Sequence, residues 1–281
     1  LRNTGQQVYP TITPFGLLLN ENSKQLFITK KNEMIFPLST ISSVRTIFPN
    51  ELGYYPIILT DEHGFNNPKG LYIKNEVDII LIGDSYVEGC SVDSDKTIGS
   101  VLREEGYNTI SLGKFGNEPL INFATLREYG YPYKPKIVLW FYYVNDLPAL
   151  EEYKSWTKST ILANYLDDDY FTQSLISRQK QIDSLLIIYA NEKWNSKIKK
   201  NKILRESESN ALQRIAILYN FRKKLLDVTI SKNKSQSLKP EKISKETLTI
   251  FRNILKKADQ LVSDWDGEMY FIYLPSYENI I

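Results

Sequence analysis

The chain is predicted to be an α/β protein organised on a parallel sheet, and three observations carry that prediction. Short, almost purely apolar runs rich in branched residues recur at Val77–Ile82, Asn108–Leu112 and Lys136–Val144, the form that a strand buried on both faces takes in sequence. Between them lie segments with apolar residues at helical spacing, so that strand, helix, strand, helix and strand follow one another at the separations of right-handed crossovers. Each run also ends in a polar tip: Gly83-Asp84-Ser85, Gly113-Lys114-Phe115-Gly116-Asn117 and Asn145-Asp146-Leu147-Pro148. In an open α/β sheet such tips line the carboxyl edge, where ligand crevices form.

Taken in order, residues 1–74 read as a β-rich extension, with short β-branched or aromatic runs at Gln25–Thr29, Ile41–Phe48 and Tyr54–Thr60 separated by Pro, Asn and Gly signals. Residues 75–150 carry the core strands. Lys96 to Glu105 suits a helix with Ile98, Val101 and Leu102 on one face, ended by Gly106. A second helix opens at Pro119, where a first turn tolerates proline, and Leu120, Phe123, Ala124 and Leu126 give it an apolar side before Tyr131-Pro132-Tyr133-Lys134-Pro135 breaks it. Residues 151–266 read as a helical insertion. Phe171, Leu175, Arg178, Ile182, Leu185 and Tyr189 make one amphipathic stripe, followed by a Lys- and Asn-rich break from Asn195 to Lys202, a helix near Ala211 to Val228, and a polar linker from Ser231 to Lys242. A last helix from about Lys245 to Trp265 places Leu248, Phe251, Leu255, Ala258, Val262 and Trp265 in register. Residues 267–281 hold a fourth apolar strand, Glu268 to Leu274, after Gly267.

Composition bounds what the chain does. Its 281 residues suffice for a sizeable core, read here as a single domain. A net charge of +2 spread along the chain makes no electrostatic case for nucleic acid or a membrane surface. No apolar run approaches the roughly 20 residues that span a bilayer, and no signal peptide opens the sequence. The first residue is Leu1 rather than an initiator Met, which leaves a cytoplasmic and an exported or envelope-anchored location both open. The single cysteine, Cys90, excludes an internal disulfide and reads as a small apolar packing residue. Oligomeric state is not encoded legibly.

Ser85 is the candidate nucleophile, because its hydroxyl follows a buried strand directly in a turn flanked by Gly83 and Gly89. The competing reading is an ordinary strand-to-helix turn with Asp84 or Ser85 as helix N-cap. Asp84 is adjacent to Ser85, and neighbours on an extended turn point apart, so it is expected to cap the next helix or hold the loop rather than act as a triad acid. For Asn145 the competing reading is a strand-end residue closing its own turn.

These blocks together resemble the SGNH hydrolases, the GDSL-type lipases and esterases. The first family block appears as Gly83-Asp84-Ser85-Tyr86 with Gly89 behind it, the second as Leu112-Gly113-Lys114-Phe115-Gly116-Asn117, and the third as Asn145-Asp146. Gly64-Phe65-Asn66-Asn67-Pro68 resembles the turn before the nucleophile strand in many bacterial members. The resemblance implies a three-layer, flavodoxin-like fold. It further implies a serine acyl-ester hydrolase acting through an acyl-enzyme on Ser85, with the oxyanion held by the N–H groups of Ser85 and Gly116 and the side-chain amide of Asn145. The substrate would be an acylated carbohydrate or another small ester, with no cofactor and no metal.

One family feature is missing. A serine hydroxyl is a poor nucleophile until a base takes its proton, and the family draws that base from a final Asp-x-x-His block, whereas no histidine follows His63 here. The expectation is that the 281 residues are a fragment of a longer protein. The alternatives are an inactive member, or recruitment of His63, a loop residue read as a surface histidine whose neighbours Asp61 and Glu62 would have to orient it. Two further functional readings stand beside hydrolysis: a sugar O-acyltransferase of the same fold, and a non-catalytic carbohydrate-binding or scaffold protein. Phosphoryl transfer is disfavoured, because there is no Gly-rich phosphate loop and no carboxylate set beyond Asp61, Asp84 and Asp146.

Overall fold

In a computed structural model of the chain, residues 8–19, 34–49, 53–155, 160–207 and 243–276 are described. The organising element is a four-stranded, all-parallel sheet flanked by helices: β4 (Ile79–Ile82), β5 (Thr109–Ser111), β6 (Ile137–Tyr143) and β7 (Glu268–Leu274) lie in the order β5-β4-β6-β7. Register pairs Leu81 with Ser111 on one side, Ile82 with Trp140 on the other, and Tyr143 with Leu274 further out. The strand before Ser85 is thus central, and the strands before Gly116 and Asn145 are its two neighbours.

The two faces are filled by alternate residues of the same strands. On one face Ile79, Leu81 and Phe141 cluster with Val87 and are packed by Ile98 and Leu102 of helix α3 (Ile98–Glu104). On the other, Ile80, Ile82, Val138 and Trp140 are fully buried. Helix α4 (Pro119–Thr125) is buried along its whole length rather than on one side, and continues as a π-helical turn, Leu126–Gly130. It is packed by α5 (Asp146–Tyr153) and by α8 (Lys245–Ser263), and α8 also lies against β7. Trp265 caps that layer by donating its indole N–H to Pro135 O at 2.9 Å.

The extension forms a separate three-stranded sheet, β1 (Val8–Pro10), β2 (Arg45–Ile47) and β3 (Ile57–Leu59), with a short helix α1 (Pro14–Leu18) capped by the Thr13 hydroxyl. β2 and β3 are shorter than the runs Ile41–Phe48 and Tyr54–Thr60 that predict them, β1 corresponds to no expected run, and the expected strand at Gln25–Thr29 lies outside the described residues. Asp61 ties the extension to the core. Its buried carboxylate accepts from the backbone N–H groups of His63 and Phe65, the Asn67 amide and the Tyr72 hydroxyl. Asn67 in turn bonds both the N–H and the O of Ser111 on β5.

The helical segment departs from expectation at two points. After the short helix α6 (Asn164–Asp167), the stripe expected to begin at Phe171 becomes helical only at Gln179, in α7 (Gln179–Ser207). The amides of Gln173 and Leu175 are donated to the buried Glu128 carboxylate, and Ser174 takes a left-handed φ of 55°, so this stretch cannot join the helical ladder. Ile182, Leu186 and Tyr189 then form the buried stripe, with Leu185 at its border. The expected break at Asn195–Lys202 is helical throughout; Lys is a good helix former and Asn only a mild opponent. The helix near Ala211–Val228 and the linker Ser231–Lys242 lie outside the described residues. The chain divides into one unit of residues 1–189 and 243–281 and a second of residues 190–242. No described helix is long and apolar enough to cross a membrane.

Candidate active site

At the carboxyl end of β4 the chain passes from strand to helix through two residues, Gly83 and Asp84. A side chain on Gly83 would lie 2.5 Å from the Val87 methyl and 3.2 Å from Phe141 Cβ, which leaves room only for glycine. Asp84 then caps α2 (Ser85–Glu88), its Oδ1 accepting the Tyr86 N–H at 3.0 Å, as the sequence reading expected. The single turn closes at Gly89, whose φ of +69° and N–H bond to Ser85 O end the helix. Ser85 is the first residue of that turn and is half-buried.

The loop after β5 rests directly on this turn. A side chain on Gly113 would meet the backbone N of Glu88 at 2.6 Å, and the Lys114 N–H bonds to Gly83 O at 3.3 Å. Glu88 and Lys114 form an ion pair, both side chains at most 1% exposed. The other carboxylate oxygen of Glu88 accepts the Phe115 N–H at 2.6 Å. Gly116 follows with a φ of +75°, and a Cβ there would meet the Phe15 ring of α1 at 3.4 Å. Phe15 in turn stacks edge-on against Tyr153 of α5 at 5.1 Å.

The third tip is joined to the first through Tyr86 and Tyr143, whose rings are 4.6 Å apart. Asn145 occupies the N-cap position of α5, yet its side chain makes no cap bond and is exposed. The turn is closed instead by Asp146, whose carboxylate accepts the Tyr143 N–H at 3.0 Å. The reading of Asn145 as a residue closing its own turn is therefore overturned. Within the described residues, the N–H of Ser85, the N–H of Gly116 and the Asn145 amide donate to no protein acceptor.

Besides Glu88, three buried carboxyls underlie this edge: Asp84, Glu118 and Asp146. Burial raises Asp146 to about 8, with the charges of Asp84 and Glu118 adding to the effect. Glu118, which caps α4 through the Leu120 and Ile121 N–H groups, is raised by burial to about 7. Asp84 is raised by burial, with the Glu88 charge contributing in the same direction. Among the described residues no group of three or more His, Cys, Asp or Glu is disposed to hold a metal ion.

His63 is not the surface residue expected of a lone loop histidine. It is 8% exposed, packed edge-on against Tyr72 at 4.6 Å and tilted against Tyr129 at 5.7 Å, with Nδ1 buried and without a partner among the described residues. Asp61 binds its backbone rather than its ring, and Glu62 accepts from the Gly70 N–H. Neither neighbour orients the imidazole. Cys90 is buried, with its Sγ 3.6 Å from the Ser91 hydroxyl.

Glu88, Lys114, Glu118 and Phe15 were not singled out from the sequence. Glu88 stands one helical turn after Ser85, a spacing that placed it near the site; Lys114 carried no signal among 35 Lys and Arg. A cavity of about 1020 Å³ opens elsewhere, lined by Arg127, Tyr131, Phe171, Asn253 and Lys257, and none of Ser85, Gly116 and Asn145 borders it. In comparison with known proteins, the chain matches no family model and no curated sequence.

Proposed function

We propose that this chain is an SGNH-type serine acyl-ester hydrolase with Ser85 as nucleophile. The observation that carries the reading is the set of three donors that no described residue engages, at the ends of three adjacent parallel strands: the Ser85 N–H, the Gly116 N–H and the Asn145 amide. Backbone and amide donors cannot lose a proton at working pH, so they suit a site where negative charge develops on a carbonyl oxygen.

In the proposed reaction the Ser85 Oγ attacks the ester carbonyl carbon while a general base, the histidine of the Asp-x-x-His block that the resemblance implies, takes its proton and returns it to the departing alcohol. The oxyanion is held by the three donors until the alcohol leaves, giving an acyl-enzyme that water hydrolyses. An acylated sugar or a small ester is the substrate class. The same acyl-enzyme transferred to a sugar hydroxyl would make the protein an O-acyltransferase, separated from a hydrolase by supplying candidate acceptors.

One observation favours the non-catalytic alternative, a carbohydrate-binding protein that keeps the sheet. The only histidine is enclosed by Tyr72 and Tyr129. Treatment of the intact protein with a p-nitrophenyl phosphonate decides between them. Hydrolysis predicts labelling of Ser85 and a burst of product with p-nitrophenyl acetate, both lost in Ser85→Ala. An unlabelled, folded protein that retains glycan binding as Ser85→Ala overturns the enzymatic reading.

A further inference from the structure

We infer that the buried Glu88–Lys114 pair is a positioning latch that fixes the Gly116 N–H relative to Ser85, an inference that rests on the serine reading above. Glu88 is the last residue of the helical turn that begins with Ser85, and its own N–H is tied back to Asp84 O at 3.0 Å. Its carboxylate reaches across to the facing loop and holds two successive residues there, the Lys114 ammonium and the Phe115 N–H. The next N–H along the chain is that of Gly116. One rigid acceptor on the nucleophile turn therefore sets the position of the loop that offers the donor.

The pair is poorly explained as a stabilising device. Two fully buried charges lose their hydration, and replacing such a pair with apolar side chains of similar volume is often neutral or stabilising. What an apolar pair cannot reproduce is direction. The carboxylate accepts from Phe115 at a defined angle, whereas contacts between methyl groups would let the loop slide. Other contacts hold the turn and the loop together in bulk: Ser111 Oγ bonds to Val87 O at 2.8 Å, and Lys114 N–H bonds to Gly83 O at 3.3 Å. The seam persists without the latch, and only its fine alignment depends on it. Displacement of about 1 Å at a reacting centre costs on the order of 10²-fold in rate.

The test compares Glu88→Leu/Lys114→Met with Glu88→Gln/Lys114→Met. The first removes both charges and the acceptor; the second removes both charges but restores a neutral acceptor for the Phe115 N–H. With p-nitrophenyl acetate, the first is expected to lower kcat by tenfold or more, on the order of the misalignment cost, with KM little changed and thermal stability retained. The second recovers most of the rate. Hydrogen exchange at Phe115 provides a readout independent of turnover, faster in the Leu variant and restored in the Gln variant. Equal exchange in all three proteins overturns the latch, as does wild-type kcat in the Leu variant. Absence of Ser85 labelling in the wild type overturns the serine reading instead, and leaves the exchange result to judge the latch.

Discussion

The rings of Tyr86 and Tyr143 lie 4.6 Å apart, so the residue after Ser85 is packed against the last residue of the strand that leads to Asn145. This contact crosses between β4 and β6, neighbours in the sheet with Ile82 opposite Trp140. Two loop tips far apart in the chain are thereby joined at the carboxyl edge of the sheet.

Asn145→Ala should lower kcat on an activated ester by about 10²–10³-fold, the usual cost of losing one oxyanion donor. Because the Asn145 side chain makes no cap bond, Tm should move by less than about 2 °C, as for a surface substitution in a protein of this size. A large fall in Tm with kcat intact would assign Asn145 a purely structural role.

Asp146 makes stability depend on pH with a definite sign. Its carboxyl is raised from 3.8 to about 8 in the folded protein, so the folded state holds a proton that the unfolded chain releases at ordinary carboxylate pH. The stabilisation is full below that range and is lost as pH rises towards 8. Tm should therefore fall between pH 5 and pH 8, and the fall should be shallower in Asp146→Asn, where the amide oxygen still accepts the Tyr143 N–H. Glu118, raised to about 7, acts with the same sign, so Asp146→Asn/Glu118→Gln should be flatter still. A Tm that rises over this interval in the wild type would contradict the burial of both groups.

Gly113→Ala should destabilise by about 2 kcal/mol or more in urea unfolding, since a Cβ there lies 2.6 Å from the Glu88 backbone N and from Val87 Cβ, and neither is the end of a flexible chain. Gly106→Ala is the control. That glycine has a φ of +92° with nothing within 4 Å of a Cβ, so only left-handed strain of about 1 kcal/mol is incurred. Equal losses in the two variants would show that the loop after β5 yields readily.

His63→Gln should leave phosphonate labelling of Ser85 far closer to wild type than the roughly 10²-fold loss expected on removing a general base. The imidazole is held between Tyr72 and Tyr129, and Nδ1 has no partner to lose. A loss of that size would reinstate His63 as the base.

The parts of the fold legible in the sequence were those with strong local periodicity. The apolar run Glu268–Leu274 delimits its strand to the residue, and of the two roles expected of Asp84, capping the next helix or holding the loop, the structure shows the cap. The misreadings have non-local causes. The stripe from Phe171 has helical spacing, but Glu128, more than 40 residues earlier, captures the amides of Gln173 and Leu175. His63 looked exposed in a polar stretch until Tyr72 and Tyr129 closed over it. Lys114 resembled any surface lysine because its partner Glu88 lies 26 residues away.

The sequence by itself determined the parallel strands, their order along the chain and the polar residues at their tips, because apolar runs and turn residues act through neighbouring backbone. Only the tertiary structure decided which tips touch, that Asn145 leaves its amide unused while Asp146 closes the turn, and that a glutamate and a lysine are buried as a pair. Those outcomes depend on groups far apart in the chain removing water from one another, and no local pattern records which distant partner will do so.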